Sequence, residues 1–274
     1  AGTRWTHYEQ EGSDLQDERF MAELGFDLSQ TLARTYSVDW ERFNIERLRH
    51  QSTLFLKVRW HPWEEEKLNA PVLDAYQYRA RPPLLDLADI WYIDQLRDWN
   101  VVRLGWEHRL LAATGESAFR DYLSLNFYQD FLLSADDNEE EIDAFYTQIA
   151  FDPVPWFRME LSHKYLPEDL STEAYFLRTI LRSSDLWSLG LQVEYLEGAI
   201  EQYELDARYR LSEDIGLLGS WHYDSRLNSL TEQRYGVTRR FGNVWQFELY
   251  ITLTDENERE DDFSIGACLN WLSF

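Results

Sequence analysis

One short run brings together residue types that a hydrolase uses as base and nucleophile. Residues 221–225 read WHYDS, which places His222 three positions before Ser225. A working site needs a nucleophile, a base and an orienting group that converge in space. On an extended strand His222 and Ser225 point to opposite faces, and no GxSxG motif accompanies them. The sequence therefore predicts no catalytic residues and a protein that is not an enzyme.

Metal and cofactor patterns are weak as well. The other histidines show neither HxH nor HExxH spacing; they are His7, His50, His61, His108 and His163. The acidic run at 136–141, DDNEEE, lacks the glycine that an EF-hand calcium loop needs. Contact between such acidic runs and divalent cations near charged lipid headgroups stays open. We expect no metal site and no other cofactor.

Charge and aromatic content narrow the class of protein. The formal net charge of −24 argues against a nucleic-acid partner. A charged fraction of 28% is common in soluble proteins, whereas an aromatic fraction of 16% is high. The combination is typical of a membrane barrel, whose strands alternate lipid-facing apolar residues with lumen-facing polar ones. No apolar run reaches the length of about 18 residues that a membrane-spanning helix needs.

Residues 262–274, DFSIGACLNWLSF, show this alternation most clearly. Successive side chains of a strand point to opposite faces, so this strand has an apolar face and a small, polar face. The apolar set is Phe263, Ile265, Ala267, Leu269 and Trp271. The other face carries Ser264, Gly266, Cys268 and Asn270.

The alternation recurs in about 13 predicted strands. They are residues 18–32, 46–61, 99–113, 120–132, 143–152, 156–166, 173–183, 186–196, 200–212, 214–224, 230–241, 243–254 and 262–273. Most are about as long as the 9–11 residues of a tilted membrane strand and longer than the usual soluble strand of about 5–6 residues. The predicted fold class is all-β, an antiparallel transmembrane β-barrel of about 13–14 strands in one domain over 1–274. A soluble sandwich with its apolar faces packed together is the alternative.

Mid-strand polar residues opposite the apolar face are expected to line a water-filled lumen. They are Arg103, Glu107, Gln192, Glu194, Glu204, Arg208, Gln246 and Glu248. The competing interpretation is a salt-bridged interior in which these side chains only stabilise the wall.

Connection lengths alternate along the chain, which orients the predicted barrel. Tight links such as Ala113–Ser117 alternate with longer or more acidic ones. Outer-membrane barrels have short periplasmic turns and longer outer loops, so we expect the outer membrane of a Gram-negative cell and a periplasmic C-terminus. If 13 antiparallel strands end in the periplasm, the first of them begins on the outer side of the membrane. Either at least one strand precedes it or the count is short by one.

The link from Pro62 to Asp98 is the longest. It holds Pro62, Pro71, Pro82 and Pro83, and proline removes ladder donors, so this stretch is not barrel wall. Its aromatic and leucine side chains predict an outer loop that folds over or into the mouth of the barrel.

Three stretches resemble the LptD/OstA family of lipopolysaccharide-assembly outer-membrane proteins. Asn100–Phe131 looks like the strand pair in which an N-x-hydrophobic-x-hydrophobic-G strand ends in a polar turn before D-x-L-x-L. Tyr209–Leu249 is similar to the family's late-barrel pattern. Ile45–Trp60 resembles its "lrH" segment, without the proline expected soon after His50. The likeness extends over most of residues 20–274.

The resemblance implies the C-terminal portion of a larger barrel that inserts lipopolysaccharide into the outer leaflet. Implied partners are lipopolysaccharide, outer-membrane lipid, a plug lipoprotein like LptE and the periplasmic Lpt bridge. The last strand would open sideways as a lateral gate, and Gly266 would weaken its ladder. The gate residues would be Phe263, Ile265, Gly266, Ala267, Leu269 and Trp271. The family's late paired cysteines have no counterpart, since Cys268 is the one cysteine.

Two other functions fit a similar wall. A general porin or a polysaccharide-export barrel would show a lumen narrowed by an in-folded loop, with basic residues facing acidic ones. A soluble β-rich binding module is the third possibility.

Overall fold

The computed structural model describes residues 1–9, 16–64, 80–89, 100–114, 119–133, 142–167, 171–242, 244–255 and 262–271. They form one antiparallel sheet of 14 strands in which chain order and spatial order coincide. The strands are β1 Gly2–Glu9, β2 Gln16–Trp40, β3 Ile45–Glu64, β4 Val101–Ala113, β5 Arg120–Leu132, β6 Ile142–Val154, β7 Phe157–Tyr165, β8 Thr172–Ser183, β9 Trp187–Leu196, β10 Ile200–Arg210, β11 Ile215–Asp224, β12 Ser229–Phe241, β13 Trp245–Thr254 and β14 Asp262–Trp271. Within these ranges no helix is of a kind that could cross a bilayer.

The predicted all-β antiparallel fold is confirmed, and β3 to β14 match the predicted strands to within three residues. The strand that the sequence analysis did not include is β1, and it makes the strand number even. The predicted end of the first strand at residue 32 is wrong, because β2 continues to Trp40. Tyr36 pairs with Leu48 there, so the ladder with β3 extends almost to the turn.

Cross-strand pairing places apolar residues opposite apolar ones and polar residues opposite polar ones. Leu205 of β10 lies opposite Leu191 of β9 and Trp221 of β11. Its neighbour Glu204 lies opposite Gln192 and His222. The sheet therefore has an apolar face, which includes Leu205, and a polar face, which includes Glu204. A shift of one residue would exchange the two.

The apolar face is open to its surroundings rather than packed. Large side chains on it are 36–48% exposed, namely Leu189, Leu191, Leu205, Leu249 and Ile251. Two sheets packed face to face would bury these residues. The described part of the chain therefore disagrees with the soluble sandwich and agrees with a face that meets lipid.

Aromatic pairs mark both ends of the apolar face. Tyr175 and Tyr195 stack at one end with ring centroids 5.2 Å apart, and Trp245 contacts Trp271 at the other end at 4.6 Å. On β9, Trp187 and Tyr195 are eight residues apart, or about 27 Å along the strand. That span fits the apolar band of about 25 Å and the aromatic girdles of outer-membrane barrels.

The two ends of the sheet differ in their connections. At one end, which we call the short-turn end, β6 and β7 are joined by residues 155–156 and β8 and β9 by residues 184–186. At the long-loop end, β3 and β4 are joined by residues 65–100. Strand β14 finishes at the short-turn end, in agreement with the predicted side of the C-terminus.

The sheet is not closed within the described residues, since β1 and β14 do not pair there. Strand β1 pairs only with Gln16–Glu23 of β2. Along the rest of β2, from Leu24 to Trp40, the described residues place a strand on the β3 side alone. Within the described residues the sheet thus has two edges: β14 on one side, and β1 together with Leu24–Trp40 of β2 on the other.

A pair of adjacent substitutions on β9 tests the assignment of faces. We expect Leu191→Arg to lower the free energy of unfolding in lipid vesicles by about 2–4 kcal/mol, because it places a charge in the middle of the lipid-facing band. The matched change Gln192→Arg, on the polar face, should cost about 1 kcal/mol or less. Urea unfolding followed by tryptophan fluorescence measures both. Equal costs would contradict the two-faced sheet.

Candidate functional site: the polar face and its in-folded segment

All eight residues predicted to line a lumen share the polar face. Gln192 lies opposite Glu204, and Glu194 lies opposite Gln202. Glu248 lies opposite Thr238. By the same register, the polar face holds Arg103, Glu107, Gln192, Glu194, Glu204, Arg208, Gln246 and Glu248. The shared face agrees with the sequence prediction, and the lining of a lumen stays a prediction.

Residues 80–89, here called the in-folded segment, pack on this polar face. Leu85 and Leu87 are 5% and 1% exposed. The guanidinium of Arg81 lies 3.9 Å from the carboxylate of Glu160 on β7 and over the ring of Phe176 on β8. These contacts agree with the prediction that the long loop folds inward. Residues 65–79 and 90–99 of the same loop lie outside the described residues.

A buried fork of hydrogen bonds fixes the in-folded segment to β4 and β5. Arg103 donates from Nε to Asp130 Oδ1 at 2.6 Å and from Nη2 to Asp130 Oδ2 at 2.7 Å. The side chains are 8% and 0% exposed. Nη2 of Arg103 also donates to the carbonyl oxygen of Pro83 at 3.0 Å. A two-point arginine–carboxylate pair fixes direction as well as charge, so the segment is anchored to the wall at a defined point.

A second anchor joins the segment to β2 and β3. Arg59 Nη1 lies 2.6 Å from Asp27 Oδ1, and Arg59 Nη2 lies 2.6 Å from Asp86 Oδ1. The backbone N–H of Leu87 donates to Glu23 Oε2 at 2.6 Å. Glu23 also approaches Arg59, at 4.0 Å. Charged side chains of β2 and β3 therefore bind the in-folded segment through its Asp86 side chain and through the backbone N–H of Leu87.

Gly25 makes room for the second anchor. It lies directly opposite Arg59 in the β2–β3 ladder. A Cβ atom at Gly25 would stand 2.5 Å from the carbonyl oxygen of Val58 and 2.7 Å from Arg59 Cδ. The absence of a side chain lets Arg59 lie across β2 and reach Asp27.

The predicted gate strand β14 forms an unbroken ladder with β13, from Trp245 opposite Trp271 to Thr254 opposite Asp262. Its apolar side chains are among the most exposed of the sheet, with Phe263 at 70%, Ile265 at 66%, Leu269 at 59% and Trp271 at 66%, and Ala267 is exposed as well. Exposure of this kind is expected at a sheet edge. Sideways opening of β14 stays a prediction.

Gly266 has a packing role that the sequence did not reveal. It lies opposite Tyr250 on the polar face, and a Cβ atom there would stand 2.3 Å from Tyr250 Cζ. The same ring also contacts β12, where the guanidinium of Arg234 lies 3.6 Å from the ring centre. The tyrosine ring thus covers the glycine and compensates for the missing side chain.

The structure places an acidic side chain beside His222. His222 Nε2 lies 3.4 Å from Glu204 Oε2 on β10, and Ser225 belongs to the turn after β11. Among the described residues no group of three or more His, Cys, Asp or Glu side chains is placed to hold a metal ion. The acidic run at 136–141 lies outside that part of the chain.

Sequence reasoning missed the residues that anchor the in-folded segment. Arg59, Asp130 and Asp86 are the central ones, and nothing in their local spacing marks them as partners. One signal was present, because Arg59 and Asp130 sit at polar-face positions next to bulky apolar residues in the predicted strands. A charge there, close to a leucine-rich loop, suggests a buried pair.

Comparison with known proteins adds little to the geometry. No protein-family model and no curated protein matches the chain. Among solved structures, the chain is similar to a porin of Rh. blastica that carries five substitutions, with a TM-score of 0.38 and 10% identity over 97% of this chain and 99% of that one. At this TM-score the likeness carries no functional argument.

Two ion pairs on the same strands give a matched test of the first anchor. Asp130→Ala leaves the guanidinium of Arg103 buried without its counter-ion, so we expect the free energy of unfolding to fall by about 3–5 kcal/mol. Asp121→Ala removes the partner of Arg109 in a pair whose side chains are 48% and 60% exposed, and should cost about 1 kcal/mol or less. Urea unfolding in lipid vesicles compares them. Similar losses would show that the Arg103 pair is not a buried anchor.

Proposed function

We propose that this chain forms the wall of an outer-membrane pore for polar solutes and that the in-folded segment narrows its lumen. The observation that carries the proposal is the attachment of residues 80–89 to the polar face through Arg59 and Arg103. A segment held there takes up space beside the polar wall and restricts what passes along it. This arrangement supports the porin or polysaccharide-export class.

The apolar face supports a place in the membrane. Its exposed leucines and its aromatic pairs at both ends form a band of the right height for hydrocarbon. In water the same surface would be an extended apolar patch, which soluble monomers avoid. The remaining surface of the sheet is the polar face, which suits a water-filled interior.

The charges near the in-folded segment also suit a constriction. Close to the segment, the polar face of β3 and β4 carries three cationic side chains, Lys57, Arg59 and Arg103, and Lys57 lies directly opposite Arg103. The in-folded segment brings the carboxylate of Asp86 to this wall. Charged side chains at a narrow point select permeating ions through their local field.

Conductance measurements on the reconstituted 274-residue chain test the pore. We expect stepwise ion conductance in planar bilayers, and a larger single-channel conductance for Asp86→Ala, because the segment loses its tie to Arg59. The control is Asp89→Ala, three residues along, where the carboxylate is exposed. A chain that inserts without conducting would overturn the pore. Equal conductance of both variants and the unsubstituted chain would show that the segment does not narrow it.

A second candidate is lipopolysaccharide assembly by a barrel that opens sideways, as the family resemblance implies. The observation that favours it is the pair of sheet edges, with β14 on one side and β1 together with Leu24–Trp40 of β2 on the other, because a lateral opening needs few ladder bonds. Lipopolysaccharide, outer-membrane lipid, an LptE-like plug lipoprotein and the periplasmic Lpt bridge would then be its partners. The polar face would accommodate the sugar portion of the lipid.

Depletion of the protein in its host separates the two candidates. If it assembles lipopolysaccharide, surface-exposed lipopolysaccharide should fall while the lipid accumulates at the inner membrane. If it is a pore, uptake of small polar solutes should fall at unchanged surface lipopolysaccharide. Surface labelling and solute-uptake rates give the two readouts. Gly266→Val is a poor probe of gating, because it displaces Tyr250.

A further inference from the structure

The polar face of β8 to β12 separates its charges along the strand direction. Toward the long-loop end it carries an acidic band, Glu194, Glu204, Asp206, Asp224 and Glu232. Toward the short-turn end it carries a basic band, Arg182, Arg208, Arg210 and Arg240. Each band crosses several strands and therefore belongs to the wall.

Strand β10 contains both bands in one stretch. Glu204 and Asp206 precede Arg208 and Arg210, and all four side chains fall on the polar face. The distance from Glu204 to Arg210 is about 20 Å along the strand. Asp206 and Arg208 are both exposed. Charges of opposite sign are thus accessible on either side of a boundary near the middle of the strand.

Register extends the bands to the neighbouring strands. Arg182 and Arg208 both lie opposite Ser188 of β9, from its two sides. Glu194 and Asp224 both lie opposite Gln202 of β10. In each case two like charges flank one neutral residue, so each band has a single sign across three strands.

Other charged groups on these strands reduce this separation without reversing it. Arg178 of β8 lies opposite Gln192, level with Glu204, and adds one positive charge beside the five carboxylates of the acidic band; its neighbour on the other side is Glu160 of β7. Arg234 of β12 pairs with Glu248 of β13 at 2.7 Å, so together they add no net charge. Arg210 lies 3.1 Å from Asp185, whose side chain is 81% exposed in the turn after β8, and an exposed pair of this kind is screened by solvent. His222 beside Glu204 reduces the acidic band only when it is protonated.

We infer that this wall makes the proposed pore a rectifier, which conducts ions better in one direction of applied voltage than in the other. The inference rests on the proposed pore function. An acidic zone accumulates cations and a basic zone accumulates anions. When the long-loop side is positive, cations enter through the acidic band and anions through the basic band, so both accumulate between the bands. The opposite voltage draws both away and depletes the pore.

Single-channel current–voltage curves of the reconstituted 274-residue chain in potassium chloride test the inference. We expect the conductance at the two polarities to differ by roughly twofold at about 0.1 M salt, where the Debye length is about 10 Å, and to become equal at about 1 M, where it is about 3 Å. The double variant Arg208→Gln, Arg210→Gln removes basic charge from β10 and should reduce the asymmetry. So should Glu204→Gln, Asp206→Asn.

Arg239→Gln is the matched control. Arg239 lies opposite Ile215 on the apolar face, next to Arg240 of the basic band, so its loss should leave the asymmetry unchanged. Conductance at high salt reports whether each variant still forms the pore. Symmetric curves from a conducting chain, or equal asymmetry in the Arg208/Arg210 variant, would overturn the rectifier while the pore stands. Absence of any conductance would overturn the pore itself.

Discussion

The backbone ladder decides where every side chain of this sheet goes. Strand side chains alternate with a period of two, so register alone determines whether Leu205 or Glu204 lies on the apolar face. Tight turns at strand ends set that register, and some of them need a left-handed backbone. Asn44 between β2 and β3 has φ 53°, and Asn228 between β11 and β12 has φ 51°, a conformation that asparagine tolerates better than most residues. The lipid-facing band and the polar wall are both consequences of this pairing.

The in-folded segment depends on buried charge, which is stable only when it is fully paired. Arg103 meets Asp130 and the carbonyl of Pro83, while Arg59 meets Asp27 and Asp86. The wall thereby offers two separate anchors on four neighbouring strands. Removal of one partner leaves a buried charge behind, so a displacement of the segment that separates either pair is costly. The position of the segment is therefore determined by the wall rather than by its own conformation.

The sequence predicted the wall well and the interior poorly. The strands from β3 to β14 and the eight polar-face residues follow from local alternation, which a single sequence displays. The anchors do not, because Arg59 and Asp86 are joined by folding across 27 residues with no periodic signal. Gly266 shows the same limit, since a mid-strand glycine suggests a weak ladder, whereas its cross-strand partner Tyr250 covers it. The N-terminal strand was missed because Trp5 and Tyr8, the large apolar residues of β1, fall on opposite faces and give no alternation. Strand β2 was ended too early where Arg34 interrupts its apolar face.

The charges on the two halves of the polar face differ in their exposure to solvent. Buried charges such as Glu23, Arg59, Arg103 and Asp130 are concentrated on β2 to β5, where they hold the in-folded segment. Among the described contacts that segment reaches as far as Phe176 on β8. Beyond it, Asp206 and Arg208 on β10 are exposed and keep their charges accessible to water. On β2 to β5, buried ion pairs therefore fix the position of the in-folded segment. On β10, exposed charges of opposite sign, separated along the strand, produce an electric field. In the proposed pore, ions would pass along β9 to β12, because the charges there are accessible to water, whereas Arg59 and Arg103 are already neutralised by paired carboxylates.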